Sequence, residues 1–488
     1  MNWLSHDHLL DDEPHSHLNP FAHTSPRVKR WGCGCLAVLI LLVAVVSGVV
    51  LIKAEFIRRP LYRYFVTYPK YEESLESLAA QIQPPPKDGW QDFRCVVHAH
   101  SYLSHDSNGT PEQIVAAAKK VGIEAVFMTD HPTQDNRQLT EALIGDVSGV
   151  LFFPGYETGE NMGIFPGEVT GELRAVVQHR PLKHLFDNIL ERGGLVIYPH
   201  PEMENRRWDL LNFQGMEIYN IHTDAKDMLE NRRKLLETVV DSYVSGGRYP
   251  FFGFRLFFDE PTEFLERWDG LNSFRRVFGA AGNDAHQNTS VALKTDATGE
   301  LGFYSPADDP KPLKAWDGLI ASLASVFADD EGLVWFVQLD PYEVSYGYVN
   351  TYMLATERTT DALFEALREG RCYVAFGGYL DPRGFRFDYV MGDNRYPMGS
   401  ETPFAPGGVL AVRLPLATET RILRDGEIVE TSSDSKVLTL DVDRPGTYRV
   451  EARIEVNGES WPWIYSNPIR IVEDSSESKE STDDRTEQ

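Results

Sequence analysis

At 488 residues the chain is too long for one compact core, so two or three domains are expected. Its 42% hydrophobic and 25% charged residues are ordinary for globular protein. A formal charge of −26 argues against a nucleic-acid backbone as the main partner, because phosphates would be repelled. A small phosphorylated substrate stays open, since bound divalent ions reverse the local field. Four cysteines, Cys33, Cys35, Cys95 and Cys372, suggest neither a disulfide framework nor a thiolate zinc site.

Residues 1–30 read as a disordered tail in which His6, His8, His15, His17 and His23 stand among Asp, Pro and Ser without apolar periodicity. From Trp31 to Ile52 the chain carries no charge. At about 1.5 Å per residue such a run spans a hydrocarbon core of about 30 Å. It reads as an uncleaved transmembrane helix, because a cleaved signal would have a shorter apolar region nearer the start. Arg27, Lys29 and Arg30 precede it and Lys53, Arg58, Arg59 and Arg63 follow it. The basic flanks nearly balance, and the arrangement expected is a single pass with the tail inside and the catalytic part extracytoplasmic. Residues 53–90 read as a juxtamembrane helix and linker, broken by Pro84-Pro85-Pro86.

Residues 91–382 alternate short apolar runs with amphipathic stretches, which predicts parallel β/α units. CVVHAH is a strand, and the helix that follows is capped by Thr110 with Pro111 in its first turn and ends at Gly122. EAVFMTDH, VLFFPGYET, LVIYPHPE, GMEIYNIHTD and the end of RRVFGAAGNDAH read as further strands. Reactive groups gather at the carboxyl ends of such strands. His98 and His100 end the first, Asp130 and His131 the second, and Glu157 the third, with His200, His222, Asp284 and His286 ending later ones. Nine histidines lie outside the tail, and seven of them fall on strand ends or the loop just after one. An H-x-H alone is weak, but alternation turns His98 and His100 to one side of a strand end, and the whole set points to a multinuclear metal centre. Residues 383–473 give about six β-runs with turns at Asp425-Gly426, Pro445-Gly446 and Asn457-Gly458, read as an Ig-like β-sandwich. Residues 474–488 read as a disordered acidic tail.

The ordered set H-A-H, S-H-D, T-D-H, G-Y-E, P-H-P, Y-N-I-H and N-D-A-H resembles the polymerase and histidinol phosphatase (PHP) domain over residues 91 to about 380. S-H-D-S, E-G-R-C-Y-V at 369–374 and the late Y-S-N-P-I look most like its CehA/McbA branch. The resemblance implies an α/β fold, a distorted (β/α)7 TIM-like barrel with two or three divalent ions (zinc, manganese or iron). His98, His100, Glu157 and Asp284 would hold one ion. Glu157 would bridge to a second, held also by His200 and His222. A third would take His131, His286 and either His105 or Asp106. Many members supply a further histidine from a G-H-L segment after the glutamate, which GENMGIFPGEVTGEL lacks.

Two ions sharing a carboxylate lie about 3.5–4 Å apart and can hold a bridging hydroxide. His131 and His286, beside a third ion, would act on the phosphoryl oxygens and leaving group, and Asp130 would either orient an imidazole or cap the turn at its strand end. Arg206, Arg207, Lys226 and Arg255 are candidate cations for the outer phosphate oxygens. His179 and His184 flank a helix start and are set aside as surface or core residues. The sequence therefore reads as a membrane-anchored, metal-dependent phosphoesterase acting on a small molecule, a phosphodiester or phosphomonoester. The same hydroxide would serve a carbamate, amide or ester hydrolase. A reading of another class is a metal-stabilised ligand-binding or sensor protein.

Overall fold

The structure is a computed structural model that describes residues 55–133, 137–159, 161–169, 182–203, 212–224, 232–256, 258–295, 301–305, 308–312, 328–329 and 332–473. The apolar run 31–52 and both tails lie outside them. Among the described residues no helix is long and apolar enough to cross a membrane. Contacts divide the chain into two compact units, one including Val291–Val337 and the other Val50–Ser290 with Gln338–Gln488.

The larger unit is mixed α/β around one large sheet. Its first strands are β1 (Gln91–Ala99), β2 (Ala125–Met128), β3 (Gly145–Val147), β4 (Val150–Phe153), β5 (Gly155–Glu157), β6 (Met162–Ile164), β7 (Leu195–Tyr198), β8 (Gly215–Asn220) and β9 (Phe278–Ala285). The pairs β1–β2, β2–β4, β7–β8, β8–β9 and β9–β1 are parallel, which orders these strands β4-β2-β1-β9-β8-β7. The pairs β5–β6 and β6–β7 are antiparallel, so the sheet is not the all-parallel one the alternation predicts. The apolar run VLFFPGYET is two strands, because Pro154 has no N–H to give to a ladder.

Both faces of β1 are buried, as expected for an apolar strand with neighbours on each side. Val96 and Ala99 pack with Val126, Met128 and the inner residues Ile114, Ala117 and Ala118 of the helix Pro111–Lys120. That helix begins as predicted, with Thr110 and Gln113 closing a reciprocal capping box. Cys95 and Val97 face a second core with Phe127, Phe153, Ile197 and Ala280, where the Phe127 and Phe153 rings stack at 4.3 Å. Cys95 and Cys372 are buried free thiols.

The smaller unit is a four-stranded sheet of β10 (Ser290–Thr295), β11 (Leu301–Ser305), β12 (Asp308–Pro312) and β13 (Leu333–Gln338), ordered β12-β11-β10-β13. Its β10–β11 and β11–β12 pairs are antiparallel. No element was expected over this stretch.

The large sheet continues through β14 (Asn350–Ala355) and β15 (Cys372–Ala375), with β14 antiparallel to both β1 and β15. The C-terminal strands are β16 (Arg386–Met391), β17 (Asn394–Pro397), β18 (Glu401–Pro403), β19 (Val409–Arg424), β20 (Glu427–Asp441), β21 (Gly446–Val456), β22 (Glu459–Ser466) and β23 (Ile469–Val472). The runs VLAVRLPL and ETRILRDG fuse into β19, and EIVETSS and KVLTLDV into β20. Their hairpin turns through Asp425 (φ 52) and Gly426 (φ 86), and the next turns through Asn457 (φ 50) and Gly458 (φ 82), as D-G and N-G predict.

β15 pairs with β22, so the C-terminal strands extend the sheet that carries β1. Asn467, in the Y-S-N-P-I segment, clamps β9 to β15: its Oδ1 accepts from Gly279 N at 2.7 Å while Nδ2 donates to Cys372 O at 2.9 Å. The Asp92 carboxylate on β1 accepts from Arg386 Nη1 at 3.0 Å, and from Tyr373 and Gly384 as well. Removing one partner of such a buried pair strands a charge. Arg386→Met is therefore expected to lower unfolding free energy by about 3–5 kcal/mol, read from urea denaturation. A loss under 1 kcal/mol would show that the pair does not join these strands.

Candidate metal centre

The candidate ligands stand where backbone geometry is unusual. β1 bulges between Val97 and Ala99 in its pairings with β2 and β9, and His98 at the bulge has φ 74. His200 (φ 50) and Asp284 (φ 44) also sit in the left-handed region. Non-glycine residues held there cost about 1–3 kcal/mol each and gather at functional sites. Plain strand alternation is thus not what brings His98 and His100 together; the bulge does, and their Nε2 atoms lie 3.0 Å apart.

Four donors converge around that pair. His98 Nε2 is 3.3 Å from Glu157 Oε2 and 3.1 Å from Asp284 Oδ1. His100 Nε2 is 3.5 Å and 3.3 Å from the same two oxygens. Adjacent ligands on an ion with bonds of about 2.0–2.2 Å are about 2.8–3.6 Å apart, from octahedral to tetrahedral geometry. These four could hold a metal ion. The other carboxylate oxygens face away from this pair: Glu157 Oε1 lies 3.0 Å from His200 Nε2, and Asp284 Oδ2 lies 3.6 Å from both His200 Nε2 and His222 Nδ1.

A second group joins His100, Asp106, His131 and His286, and a third joins His222, Asp284 and His286. Asp106 Oδ2 lies 3.2 Å from His131 Nε2 and 3.3 Å from His286 Nε2. Of the two open candidates, Asp106 makes these contacts. His105 is exposed, its ring centroid 5.0 Å from that of His131.

Four imidazoles, those of His98, His100, His131 and His286, turn Nε2 inward because Nδ1 is hydrogen-bonded to an oxygen. His98 Nδ1 donates to Glu217 Oε1 at 2.6 Å. His131 Nδ1 donates to the Glu157 carbonyl at 3.0 Å, and His286 Nδ1 to the Asp284 carbonyl at 2.9 Å. His100 Nδ1 pairs with Ser104 Oγ at 2.9 Å. Metal-ligating imidazoles are oriented in this way, with the proton fixed on the outer nitrogen and a lone pair presented by the inner one.

The lone pairs then point at one another and at carboxylates. Buried Asp284 Oδ1 and Asp106 Oδ1 have no hydrogen-bond partner. Burial lowers the His98 pKa, but Asp284, Glu217 and Glu157 outweigh it and hold the ring well above its ordinary value. Burial also opposes protonation of His200 and His286, yet Glu157 and Glu202 raise the first to about 11, and Asp284 and Asp106 raise the second to about 9. His100 falls to about 3, through burial and the adjacent His286. Glu157 and Asp284 would rise with burial, but the imidazoles, His98 foremost, hold both below the usual carboxylate range. The cluster demands positive charge, and a divalent ion meets that demand while satisfying the orphaned oxygens. Chelation is expected to lower the unfolding midpoint: an ion at about 100 times its Kd adds about 2.7 kcal/mol. An unchanged midpoint in excess EDTA would contradict this.

Sequence reading missed the outer residues. Glu217 is fully buried, and its Oε2 accepts from His200 N at 2.9 Å and Asn220 Nδ2 at 2.8 Å. A carboxylate inside the apolar run GMEIY was the available signal. Gly282 leaves room for it, since a Cβ there would strike Glu217 Oε1. Of the two readings of Asp130, its contacts fit the carboxylate that holds a turn: it accepts from Ser101 N at 2.5 Å and Ser101 Oγ at 3.0 Å. It holds the loop after His100, and burial raises it to about 6. Arg255 stacks over Phe258 and Trp461 at 5.2 and 5.5 Å. Arg206, Arg207, Lys226 and His179 lie outside the described residues, and His184 is in the helix Leu182–Glu191.

No protein-family model matches the chain. It is 32% identical over 127 residues to the uncharacterized protein MJ1587 of Methanocaldococcus jannaschii, a match covering 24% of this chain and 70% of that protein. Among solved structures it is similar to a two-domain protein from Bacteroides vulgatus containing a predicted PHP-like metal-dependent phosphoesterase. That likeness has 14% identity and a TM-score of 0.34, covering 79% of this chain and 98% of the other. A TM-score of that size does not establish a shared fold.

Proposed function

The chain belongs to the family of the uncharacterized protein MJ1587, and we propose that it is a metal-dependent hydrolase, most simply a phosphoesterase. The observation that carries this reading is the inward convergence of His98 Nε2, His100 Nε2, Glu157 Oε2 and Asp284 Oδ1 within 3.0–3.5 Å, on imidazoles oriented from behind. In this reading those four hold one ion. Glu157 Oε1 and Asp284 Oδ2 reach toward a second, with His200 and His222, and Asp106, His131 and His286 hold a third beside His100. Divalent zinc, manganese or iron there would supply a water of lowered pKa and polarise a phosphoryl oxygen. The chain's part is to fix the imidazole tautomers through Glu217, Ser104 and two main-chain carbonyls, and to hold the His100 loop through Asp130.

The proposal includes the PHP-type barrel of the CehA/McbA branch, an Ig-like sandwich over 383–473, and an anchor at 31–52 that leaves the catalytic part extracytoplasmic. A carbamate, amide or ester substrate is the second reading. It is favoured by the walls beside His222 and Asp284, which contain no Lys or Arg among the described residues. The test is the full-length chain loaded with each metal and assayed on bis-p-nitrophenyl phosphate, p-nitrophenyl phosphate and p-nitrophenyl acetate. Metal-dependent phosphoester turnover is expected. Turnover of acetate alone would move the assignment to the carbonyl hydrolase. Bound metal with no turnover would leave a metal-stabilised binding protein.

A further inference from the structure

A cleft opens beside the His222 and Asp284 edge of the metal centre, with a volume of about 70 Å³ within its walls. Ile221, Phe254, Leu339 and Val344 give it apolar surface. Thr238, Ser242 and Thr289 add hydroxyl-bearing side chains. Two carboxylates, Asp284 and Asp340, stand in the walls, and no Lys or Arg does among the described residues. Asp340 is engaged by the chain itself, accepting from Thr289 N at 2.9 Å and Asn288 N at 3.1 Å, so its charge is fixed in place.

Asn283 supplies the polar feature that the fold leaves unused. It is 1% exposed. Its Nδ2 donates to Ser345 O at 2.9 Å and Val349 O at 2.8 Å, which sets the amide orientation. Its Oδ1 is then an acceptor, is buried, and has no partner, although Asn283 lines the cleft. A buried acceptor without a donor costs about 1–3 kcal/mol, and a ligand that brings the donor recovers it. An anionic group in the same place would meet the Asp340 carboxylate in a low-dielectric wall, Asp284 being turned to the ions.

We propose that this cleft receives the part of the substrate remote from the scissile bond, and that this part is an uncharged organic group with a hydroxyl or N–H donor for Asn283 Oδ1. This rests on the cluster being an ion site, with the reacting group at the ions and the remainder of the substrate in the cleft. It holds for a phosphoester and for a carbonyl substrate alike.

The test uses two phosphonates of similar size, tetrahedral anions that can reach the ions but cannot be hydrolysed. Binding of 4-(hydroxymethyl)benzylphosphonate and 4-carboxybenzylphosphonate to the metal-loaded full-length chain is measured by calorimetry. The hydroxymethyl compound is expected to bind at least about 10-fold tighter, a difference of about 1.4 kcal/mol. Ser242→Trp, which fills the cleft and leaves every candidate ligand in place, is expected to bring that ratio close to one with metal content unchanged. Equal affinities in the parent chain, including no measurable binding of either, would overturn the proposal, as would a ratio that survives Ser242→Trp. Loss of the hydrolase reading would register separately, as absent turnover with selective binding retained.

Discussion

Glu157→Ala is expected to remove at least one ion per chain and to slow hydrolysis about 1,000-fold or more, equivalent to about 4 kcal/mol of transition-state stabilisation. The size follows from its position. Glu157 is nine-tenths or more buried, with Oε2 against His98 and His100 and Oε1 against His200. One substitution thus removes a donor from both sides of the cluster and leaves Asp284 as the remaining carboxylate against the Nε2 atoms of His98, His100 and His200. Metal content by mass spectrometry and kcat/KM on the preferred ester check it together. Unchanged metal content and turnover would show that the carboxylate is a structural partner of His200 only.

Glu217→Gln is the second large effect, although Glu217 touches no reacting group. Its carboxylate accepts from three donors: His98 Nδ1, His200 N and Asn220 Nδ2. A glutamine has one acceptor oxygen and must aim its amide nitrogen at a donor. Either His98 loses the partner that fixes its tautomer, or the His200 backbone loses its own. Removing such a partner costs about 10–100-fold in metal affinity or activity. The expected result is a metal Kd raised within that range in chelator competition, with the fold retained by circular dichroism. Loss of affinity shared equally by Glu217→Gln and a remote control such as Glu401→Gln would contradict the positioning role.

How much was legible follows from what each residue needs. His98, His100, Asp130, His131, Glu157, His200, His222, Asp284 and His286 could be picked out as candidates because they end apolar strands, and strand ends can be read from hydrophobic runs and turn residues. Asp106 and His105 could not be separated, because both lie in one irregular loop and only its path decides which side chain reaches His131 and His286. Glu217 was hidden: its neighbours are apolar, and nothing in GMEIYN tells which face of the strand a glutamate takes. The bulge at His98 is also invisible in composition, since it depends on β1 pairing with β2 and β9 at once. The stretch 291–337 was unread for a simpler reason. SVALKT, LGFYS and LVWFVQ are short, weakly alternating runs, and their sheet forms only when they pair with one another. The hairpins at Asp425-Gly426 and Asn457-Gly458 were readable because those dipeptides favour positive φ by themselves.

The most direct test of the ion centre is anomalous diffraction from crystals of the chain grown with zinc or manganese, collected above and below the metal edge. Two peaks about 3.5–4 Å apart, one beside His98 and His100 and the other beside His200, with Glu157 between them, and a third peak at Asp106, His131 and His286, are the predicted result. No peak at these side chains, or a single ion bound elsewhere in the chain, would contradict the account.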